Sequence, residues 1–187
     1  MKIGVIVFPG SNCDRDMYHV LTDVFKLDAD YFWHEKGLPK NIDAVILPGG
    51  YGAACNLSTF AQDGVNALVM PEIESFLLEC QRLKKPIGAI CIAPNIVAKL
   101  FGKENVEVTI GNDQNTASNL QKMGAKHINK KVNEIVIDSK NLVVSTPAYM
   151  LAKGPAEVEA GINNLVEALI ELIKKSKSQT PVSSALK

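Results

Sequence analysis

The sequence predicts a flavodoxin-like α/β fold, in which helices cover both faces of a doubly wound, mainly parallel sheet that carries a small β-hairpin. Strand-type and helix-type segments alternate along the 187 residues, which is typical of this class. The early strand-type segments are apolar throughout, as expected when both faces of a sheet are covered. Two of them end in the turns Pro9-Gly10 and Gly49-Gly50. Ligands bind at the carboxyl ends of strands in such sheets, so these turns should converge with Cys91.

The first half of the chain begins with a strand at residues 2–8, rich in Val and Ile, that stops at Pro9-Gly10. Ser11-Asn12 can cap a helix over 13–25, in which apolar side chains recur at helical spacing. The next segments are strands at 30–34 and 43–47 and a loop region at 51–66 that has room for a short helix.

The second half supplies most of the helices. They are predicted at residues 71–84, 91–100, 116–123 and 156–175. Pro71 suits a first helical turn, Gly124 suits a helix end, and the last helix is amphipathic. The predicted strands are one ending near Ile90, one at 106–110, and a hairpin formed by 134–138 and 142–145. Residues 1–175 are thus expected to form a single domain, followed by a flexible tail at 176–187.

Composition excludes several classes of protein. Lys+Arg and Asp+Glu both number 20, and this balance does not favour nucleic acid or an anionic membrane as a partner. The first residues lack the features of a signal peptide, and no apolar run has membrane-spanning length. The cysteines at positions 13, 55, 80 and 91 form no CxxC pair. We therefore expect a reduced, cytoplasmic protein with no metal and no cofactor.

Cys91 is the main candidate for catalysis, because a short apolar strand leads directly into it and helix-forming residues follow. This pattern is typical of a nucleophile elbow, in which a strained turn holds the side chain near the next backbone N–H and a helix N-terminus. Both features favour the reactive thiolate. The alternative is a buried structural cysteine. Cys13, Cys55 and Cys80 are interpreted as packing residues, although Cys55 could line the pocket.

Several residues are candidates to support the thiol. The backbone N–H groups of Gly50 and Ile92 could form an oxyanion hole, although Gly49-Gly50 could equally be a tight turn. Asp14 and Asp16 lie in the first turn of the first helix. Both could simply complement the helix dipole. The functional alternative is an acid that faces Cys91, for which Asp16 is the better placed. His19, His34 and His127 are each more typical of structural or surface positions than of catalysis. Gly10, Gly49, Asn56 and Gly111 are further candidates to line the pocket.

From Leu47 onward the chain resembles the ElbB-type isoprenoid-biosynthesis glyoxalases of the PfpI/ThiJ branch of the class I glutamine amidotransferase-like superfamily. The matching segments are Pro48–Ala61, Pro86–Pro94, Val108–Asp113 and Ser145–Ala152. This resemblance implies a cysteine-dependent, cofactor-free conversion of glyoxal or methylglyoxal at Cys91, and a homodimer. The family pairs the cysteine with an acid from the first helix region, for which Asp16 is the nearest substitute, and many members add a histidine where this chain has Gly111.

The first part of the chain is similar to PurQ, the glutaminase subunit of phosphoribosylformylglycinamidine synthase. The segments that carry this similarity are Val5–Asp14, Asp16–His19 and Trp33-His34. The domain is therefore interpreted as a PurQ-like half, residues 1–50, joined to an ElbB-like half, residues 51–175, and as a candidate engineered chimera. The His-Pro-Glu context of the glutaminases is absent, so amidotransferase activity is not expected.

Three functional hypotheses follow. The first is a glyoxalase-like enzyme of weak activity that acts on a small aldehyde. The second is a chimeric fold-recombination protein with no native catalytic activity. The third is a redox-sensing or chaperone-like protein in which Cys91 is oxidised to sulfinate.

Overall fold

A computed structural model describes residues 1–37, 39 and 41–179. The strands in this part of the chain are β1 (Lys2–Val7), β2 (Asp28–Trp33), β3 (Ala44–Leu47), β4 (Ile87–Ile90), β5 (Glu107–Val108), β6 (Lys126–His127), β7 (Val136–Asp138) and β8 (Val143–Thr146). The α-helices are α1 (Asp14–His19), α2 (Tyr51–Cys55), α3 (Phe60–Asp63), α4 (Pro71–Arg82), α5 (Pro94–Phe101), α6 (Gln114–Lys122) and α7 (Pro155–Gln179).

Six strands form the main sheet, in the order β2-β1-β3-β4-β8-β7. All neighbours pair in parallel except β7, which pairs antiparallel with β8 to form the predicted hairpin. β1 lies between β2 and β3, with Val5 opposite both Tyr31 and Ile46. The prediction of a doubly wound, mainly parallel sheet is confirmed.

Two apolar cores cover the two faces of this sheet. Alternate side chains of one strand enter different cores, as Val45 and Ile46 of β3 do. One core includes side chains from helices α2, α4, α5 and α6. The other includes side chains from α1 and α7 and also holds Cys13 and Cys91. The helices therefore lie on both faces, and the cysteine site belongs to the face covered by α1 and α7.

The segment predicted as a strand at 106–110 is regular only at Glu107–Val108 and lies outside the main sheet, paired in parallel with β6. Side chains of the hairpin hold it there. The Glu107 N–H donates to Asp138 at 2.9 Å, and the Thr109 N–H donates to the Ser145 hydroxyl at 2.9 Å. The two-residue strand β6 was not predicted.

The largest differences from the predicted helix boundaries are found at three helices. α1 passes into a π-helical turn, Val20–Val24, instead of continuing as an α-helix. α5 starts at Pro94, because residues 91–93 form the turn that leaves β4. Residues 176–179, assigned to the flexible tail, form the end of α7, while the remaining tail residues lie outside the described part of the chain.

Candidate active site

The turns that follow β1 and β3 contact each other at the carboxyl edge of the sheet. Gly50 has φ 126°, and a Cβ on it would lie 2.3 Å from the Gly10 carbonyl oxygen. A Cβ on Gly52 would lie 1.9 Å from the Pro9 carbonyl oxygen. The Asn12 N–H donates to the Gly49 oxygen at 2.9 Å, which ties the two turns together. The strand ends thus meet closely enough to form one site.

Cys91 occupies the turn between β4 and α5 in a left-handed backbone conformation, with φ 61°. Such a conformation costs a non-glycine residue about 1–3 kcal/mol and requires support from its surroundings. The Cys91 N–H donates to the Thr146 oxygen at 3.0 Å, and the Ala93 N–H donates to the Ile90 oxygen at 3.1 Å. These hydrogen bonds fix the turn between two adjacent strands.

The buried side chain of Asn95 forms a hydrogen bond with this turn. Its Nδ2 donates to the Ile92 oxygen at 2.7 Å, and its Oδ1 accepts a hydrogen bond from the Ser58 hydroxyl at 3.1 Å. The residue after Cys91 is therefore connected to the α2–α3 segment. Asn95 was not singled out from the sequence, because its partner Ser58 is distant along the chain.

The surroundings of the Cys91 thiol favour its thiolate form. A hydrogen bond from Cys13 lowers the pKa of Cys91 most; burial acts in the opposite direction. The backbone N–H groups of Ile92, Gly50 and Met150 also hydrogen-bond the sulfur and lower its pKa. Two of these amides, those of Ile92 and Gly50, were candidates from the sequence. Met150 was not; it lies in the 3-10 turn Ala148–Met150 that follows β8.

Cys13 is the side chain that contacts the Cys91 thiol. Its pKa is raised, first by the hydrogen bond to Cys91 and then by burial, while a hydrogen bond from the Gly49 N–H opposes the shift. The contact therefore favours the thiolate form of Cys91 and the protonated form of Cys13. Cys13 was assigned a packing role from the sequence, and no local motif distinguishes it from other buried cysteines.

Asp16 acts on Cys13, and not directly on the Cys91 thiol as the sequence suggested. Its carboxylate accepts a hydrogen bond from the Tyr149 hydroxyl. Its negative charge also contributes to the raised pKa of Cys13. Burial raises the pKa of Tyr149, and the Asp16 charge adds to this effect. Cys13 thus takes the place beside Cys91 that was assigned to Asp16, and Asp16 forms an outer pair with Tyr149. Asp14 contacts Tyr31, whose hydroxyl lies 3.5 Å from the Asp14 backbone oxygen.

The three histidines make their described contacts away from the thiols. His19 pairs with Asp23 at 2.7 Å on the exposed face of α1. The Nε2 of His127 accepts the Ile110 N–H at 3.2 Å, and burial lowers the pKa of this histidine. His34 is buried and follows β2, with its backbone N–H donating to the Val7 oxygen at 3.0 Å.

The other candidate pocket residues shape the surrounding turns. Gly10 has φ 78°. Asn56 donates from Nδ2 to the Pro9 oxygen at 2.7 Å. Gly111 has φ 97°, and the Leu151 side chain fills the space beside it, 2.9 Å from where a Cβ would be. Cys55 lies near Gln62, with 3.9 Å between Sγ and Nε2.

Within residues 1–37, 39 and 41–179, no group of three or more His, Cys, Asp or Glu side chains could hold a metal ion. In the same part of the chain, no helix is both long and apolar enough to cross a membrane.

No family model matches the chain. It is 44% identical over 144 residues to the mitochondrial ES1 protein homolog of Rattus norvegicus, covering 72% of this chain and 53% of that protein. The mitochondrial glutamine amidotransferase-like class 1 domain-containing protein 3 of Homo sapiens matches to the same extent. The chain thus spans about half the length of these relatives. PurQ of Leptospira interrogans is 46% identical over 69 residues, or 37% of this chain and 32% of that protein.

The solved structures agree with this fold. An isoprenoid biosynthesis protein with an amidotransferase-like domain from Ehrlichia chaffeensis superposes with a TM-score of 0.81 at 23% identity, over 92% of this chain and 99% of that one. The chain has the class I glutamine amidotransferase-like fold. Drosophila melanogaster DJ-1beta shares this fold with a TM-score of 0.61 at 17% identity, over 95% of each chain. The resemblances to this superfamily and to PurQ are confirmed, and the amidotransferase-like domain therefore presents Cys91 at its carboxyl edge.

Proposed function

We propose that this amidotransferase-like domain is a cysteine-dependent, cofactor-free glyoxalase-like enzyme that acts on glyoxal or methylglyoxal. The observation that carries the proposal is the Cys91 thiol, whose pKa is lowered by Cys13 and by three backbone amides. A thiolate at a strained turn is the nucleophile that addition to an aldehyde requires. The resemblance to the ElbB-type proteins favours an aldehyde over other electrophiles.

The first step is addition of the Cys91 thiolate to the aldehyde carbon of methylglyoxal, which forms a C–S bond and leaves an oxyanion. The N–H groups of Gly50 and Ile92 point at the sulfur, so an oxygen bonded to the adjacent carbon falls within their reach. Proton transfer from the Cys13 thiol to this oxygen gives a neutral hemithioacetal.

The second step moves the proton on the former aldehyde carbon to the neighbouring carbonyl carbon, through an enediol, and leaves a thioester of lactate on Cys91. A general base must carry this proton. The Cys13 thiolate formed in the first step is the adjacent base, and the Asp16–Tyr149 pair lies beside it. Water then hydrolyses the thioester, releasing lactate and restoring the thiol, so that the net change is addition of one water molecule.

Burial restricts the substrate to small molecules. Cys91 is 7% exposed, and the turn Ala148–Met150 places a backbone amide against its sulfur. Two- and three-carbon aldehydes fit such a narrow approach better than larger acyl groups.

We also propose that the protein acts as a homodimer, independently of nucleic acid and membranes. We place it in a thiol-reducing compartment such as the cytoplasm, although the rat and human relatives are named as mitochondrial. Sedimentation equilibrium tests the dimer.

A second candidate is a recombined fold with no native catalysis. It is favoured by the position of Cys13, since a thiol stands where a carboxylate is expected beside the nucleophile. Under this candidate the hydrogen-bonded thiols are a structural feature of two joined halves, and no aldehyde is converted faster than in a control without Cys91.

The deciding experiment measures formation of lactate from methylglyoxal without glutathione. Product is measured, and not loss of aldehyde, because any thiol forms a reversible adduct. We expect turnover by the native protein, none by Cys91→Ser, and unchanged turnover by Cys80→Ser, which alters a buried thiol in α4. Equal rates for the native protein and a folded Cys91→Ser variant would contradict the proposal and favour the second candidate.

A further inference from the structure

We propose that Cys13 and Cys91 form a reversible peroxide-sensing pair, in which Cys91 is oxidised first and Cys13 then closes an intramolecular disulfide. This inference does not depend on aldehyde turnover. It assigns Cys13 a function other than packing. It also differs from the hypothesis in which Cys91 alone is oxidised to sulfinate, because here the product is a disulfide.

The geometry places both sulfurs against one residue. Cys13 and Cys91 lie in the same apolar core. The N–H of Asn12, the residue before Cys13, donates to the Gly49 oxygen at 2.9 Å, and the hydrogen bond between the two thiols raises the pKa of Cys13. A Cβ on Gly49 would lie 2.9 Å from the Cys91 Sγ and 2.2 Å from the Cys91 Cβ. Sulfurs in hydrogen-bond contact need to approach by only one or two ångströms, roughly, to reach the disulfide length of about 2.05 Å.

The two cysteines have different roles because their exposure differs. Cys91 is 7% exposed and Cys13 is 0% exposed, so a small oxidant reaches Cys91 first. The Cys91 thiolate attacks one oxygen of hydrogen peroxide, which forms Cys91–SOH, breaks the O–O bond and releases hydroxide. Two electrons pass from sulfur to peroxide in this step.

The Cys13 sulfur then attacks the Cys91 sulfenic sulfur, and hydroxide leaves. Together with the proton from Cys13 it forms water, so two thiols and one peroxide give one disulfide and two waters. A negative charge on Cys91 raises the pKa of Cys13 and so favours the protonated form of Cys13. Formation of neutral Cys91–SOH removes that charge, so oxidation of Cys91 itself releases Cys13 as a nucleophile.

The remaining cysteines provide matched controls. Cys55 lies near Gln62 and Tyr51. Cys80 is buried in α4, and burial raises its pKa to about 12. Neither shares a contact with Cys13 or Cys91 in the part of the chain described above, so Cys55→Ser and Cys80→Ser should leave the pair unaffected.

The experiment treats the full chain with equimolar hydrogen peroxide, blocks free thiols by alkylation, and maps non-reduced peptides by mass spectrometry. We expect loss of two of the four thiols, a peptide cross-linked between Cys13 and Cys91, and recovery of both thiols with dithiothreitol. Cys55→Ser and Cys80→Ser should give the same cross-link. In Cys13→Ser, one equivalent of peroxide should leave Cys91 as sulfenic acid, and a second equivalent should convert it to sulfinate, which dithiothreitol does not reverse.

The mapping of the native protein decides the question even if Cys13→Ser does not fold. Sulfinate at Cys91 with Cys13 still open to alkylation after unfolding would overturn the proposal. Disulfides that join two chains, or that involve Cys55 or Cys80, would also overturn it. A native protein that forms the cross-link yet produces no lactate would support this pair while contradicting the glyoxalase proposal.

Discussion

Cys91 and Cys13 are two buried thiols on which the same contact acts in opposite directions. Their mutual hydrogen bond lowers the pKa of Cys91 and raises the pKa of Cys13. Backbone amides act on both sulfurs: those of Ile92, Gly50 and Met150 lower the pKa of Cys91, and that of Gly49 opposes the rise at Cys13. Interacting groups of this kind titrate as a pair. The reactive form of Cys91 therefore depends on a residue from the other half of the chain.

Replacing Cys13 by Ala should raise the pKa of Cys91, because it removes the largest favourable contact of the thiolate. A hydrogen bond to a charged group contributes about 1.5–3 kcal/mol, so alkylation of Cys91 by iodoacetamide at neutral pH should slow by about tenfold or more. The pH profile of alkylation tests this. A lowered pKa keeps the thiolate present at lower pH, so the midpoint for Cys91 should move upward in the variant.

Cys80 is the internal control for this measurement. Burial raises its pKa to about 12, so it should stay unmodified at neutral pH in both the native protein and the variant. An unchanged midpoint for Cys91 in Cys13→Ala would mean that the backbone amides alone hold the thiolate.

Gly49→Ala should destabilise the protein and displace the Cys91 side chain. The new Cβ would lie 2.2 Å from the Cys91 Cβ and 2.8 Å from the Ile90 oxygen, and neither of these atoms is the free end of a flexible side chain. Overpacking of this kind costs about 1–3 kcal/mol. Urea unfolding gives the stability, and alkylation of Cys91 reports the site. Gly154→Ala is the matched control, since no atom lies within 4 Å of its Cβ position; a similar loss there would contradict this account.

At the scale of elements, Asp138 joins the hairpin to β5. Its carboxylate accepts hydrogen bonds from the backbone N–H groups of Glu107, Lys140 and Asn141 and from the Asn141 side chain, at distances of 2.7 to 3.0 Å. Because β7 is the edge strand next to β8, and β8 leads into the turn that contacts Cys91, this carboxylate supports the site from a distance.

Asp138→Ala should lower the free energy of unfolding by about 2–4 kcal/mol, because it leaves two donors of the buried Asn141 and the N–H of the partly buried Glu107 without an acceptor. The midpoint of urea unfolding measures the change. Asp113→Ala is the comparison: its exposed carboxylate caps α6 through one hydrogen bond to the Thr116 N–H at 2.8 Å, which predicts a loss of about 1 kcal/mol. Equal losses in the two variants would count against a supporting role for Asp138.

Local signals predicted the fold and the position of Cys91, whereas contacts between distant segments were not predictable. The strand, turn and helix around Cys91 are continuous in sequence, and the glycine pair Gly49-Gly50 can be recognised as a turn from the sequence alone. The contact of Cys13 with Cys91 and the approach of Met150 depend on how β1, β4 and β8 are ordered in the sheet. The strand β6 has only two residues, too few for a periodic pattern.

For the whole molecule, the decisive feature is that the two halves share one sheet and one apolar core. β3, the last strand of the PurQ-like half, pairs in parallel with β4 of the ElbB-like half in the interior of the sheet. α1, from the PurQ-like half, shares one apolar core with α7, the last helix of the described chain. Neither half therefore has a closed core of its own, and the site residues Cys13 and Cys91 come from different halves.

The two halves should consequently unfold in one transition, and two probes can test this. Trp33 is the single tryptophan of the chain, lies in β2 and is 42% exposed, so its fluorescence follows the first half. Far-UV circular dichroism follows helices that come mostly from the second half. The two urea curves should coincide, as expected of a single cooperative domain.

Two variants test the same point. Ile3→Val in β1 and Ile173→Val in α7, both buried, should each lower the free energy of unfolding by about 0.5–1.5 kcal/mol and shift both curves equally. A Trp33 transition at lower urea, or a variant that shifts only the probe of its own half, would show that the halves fold separately and that the contact between Cys13 and Cys91 is not held by a common core.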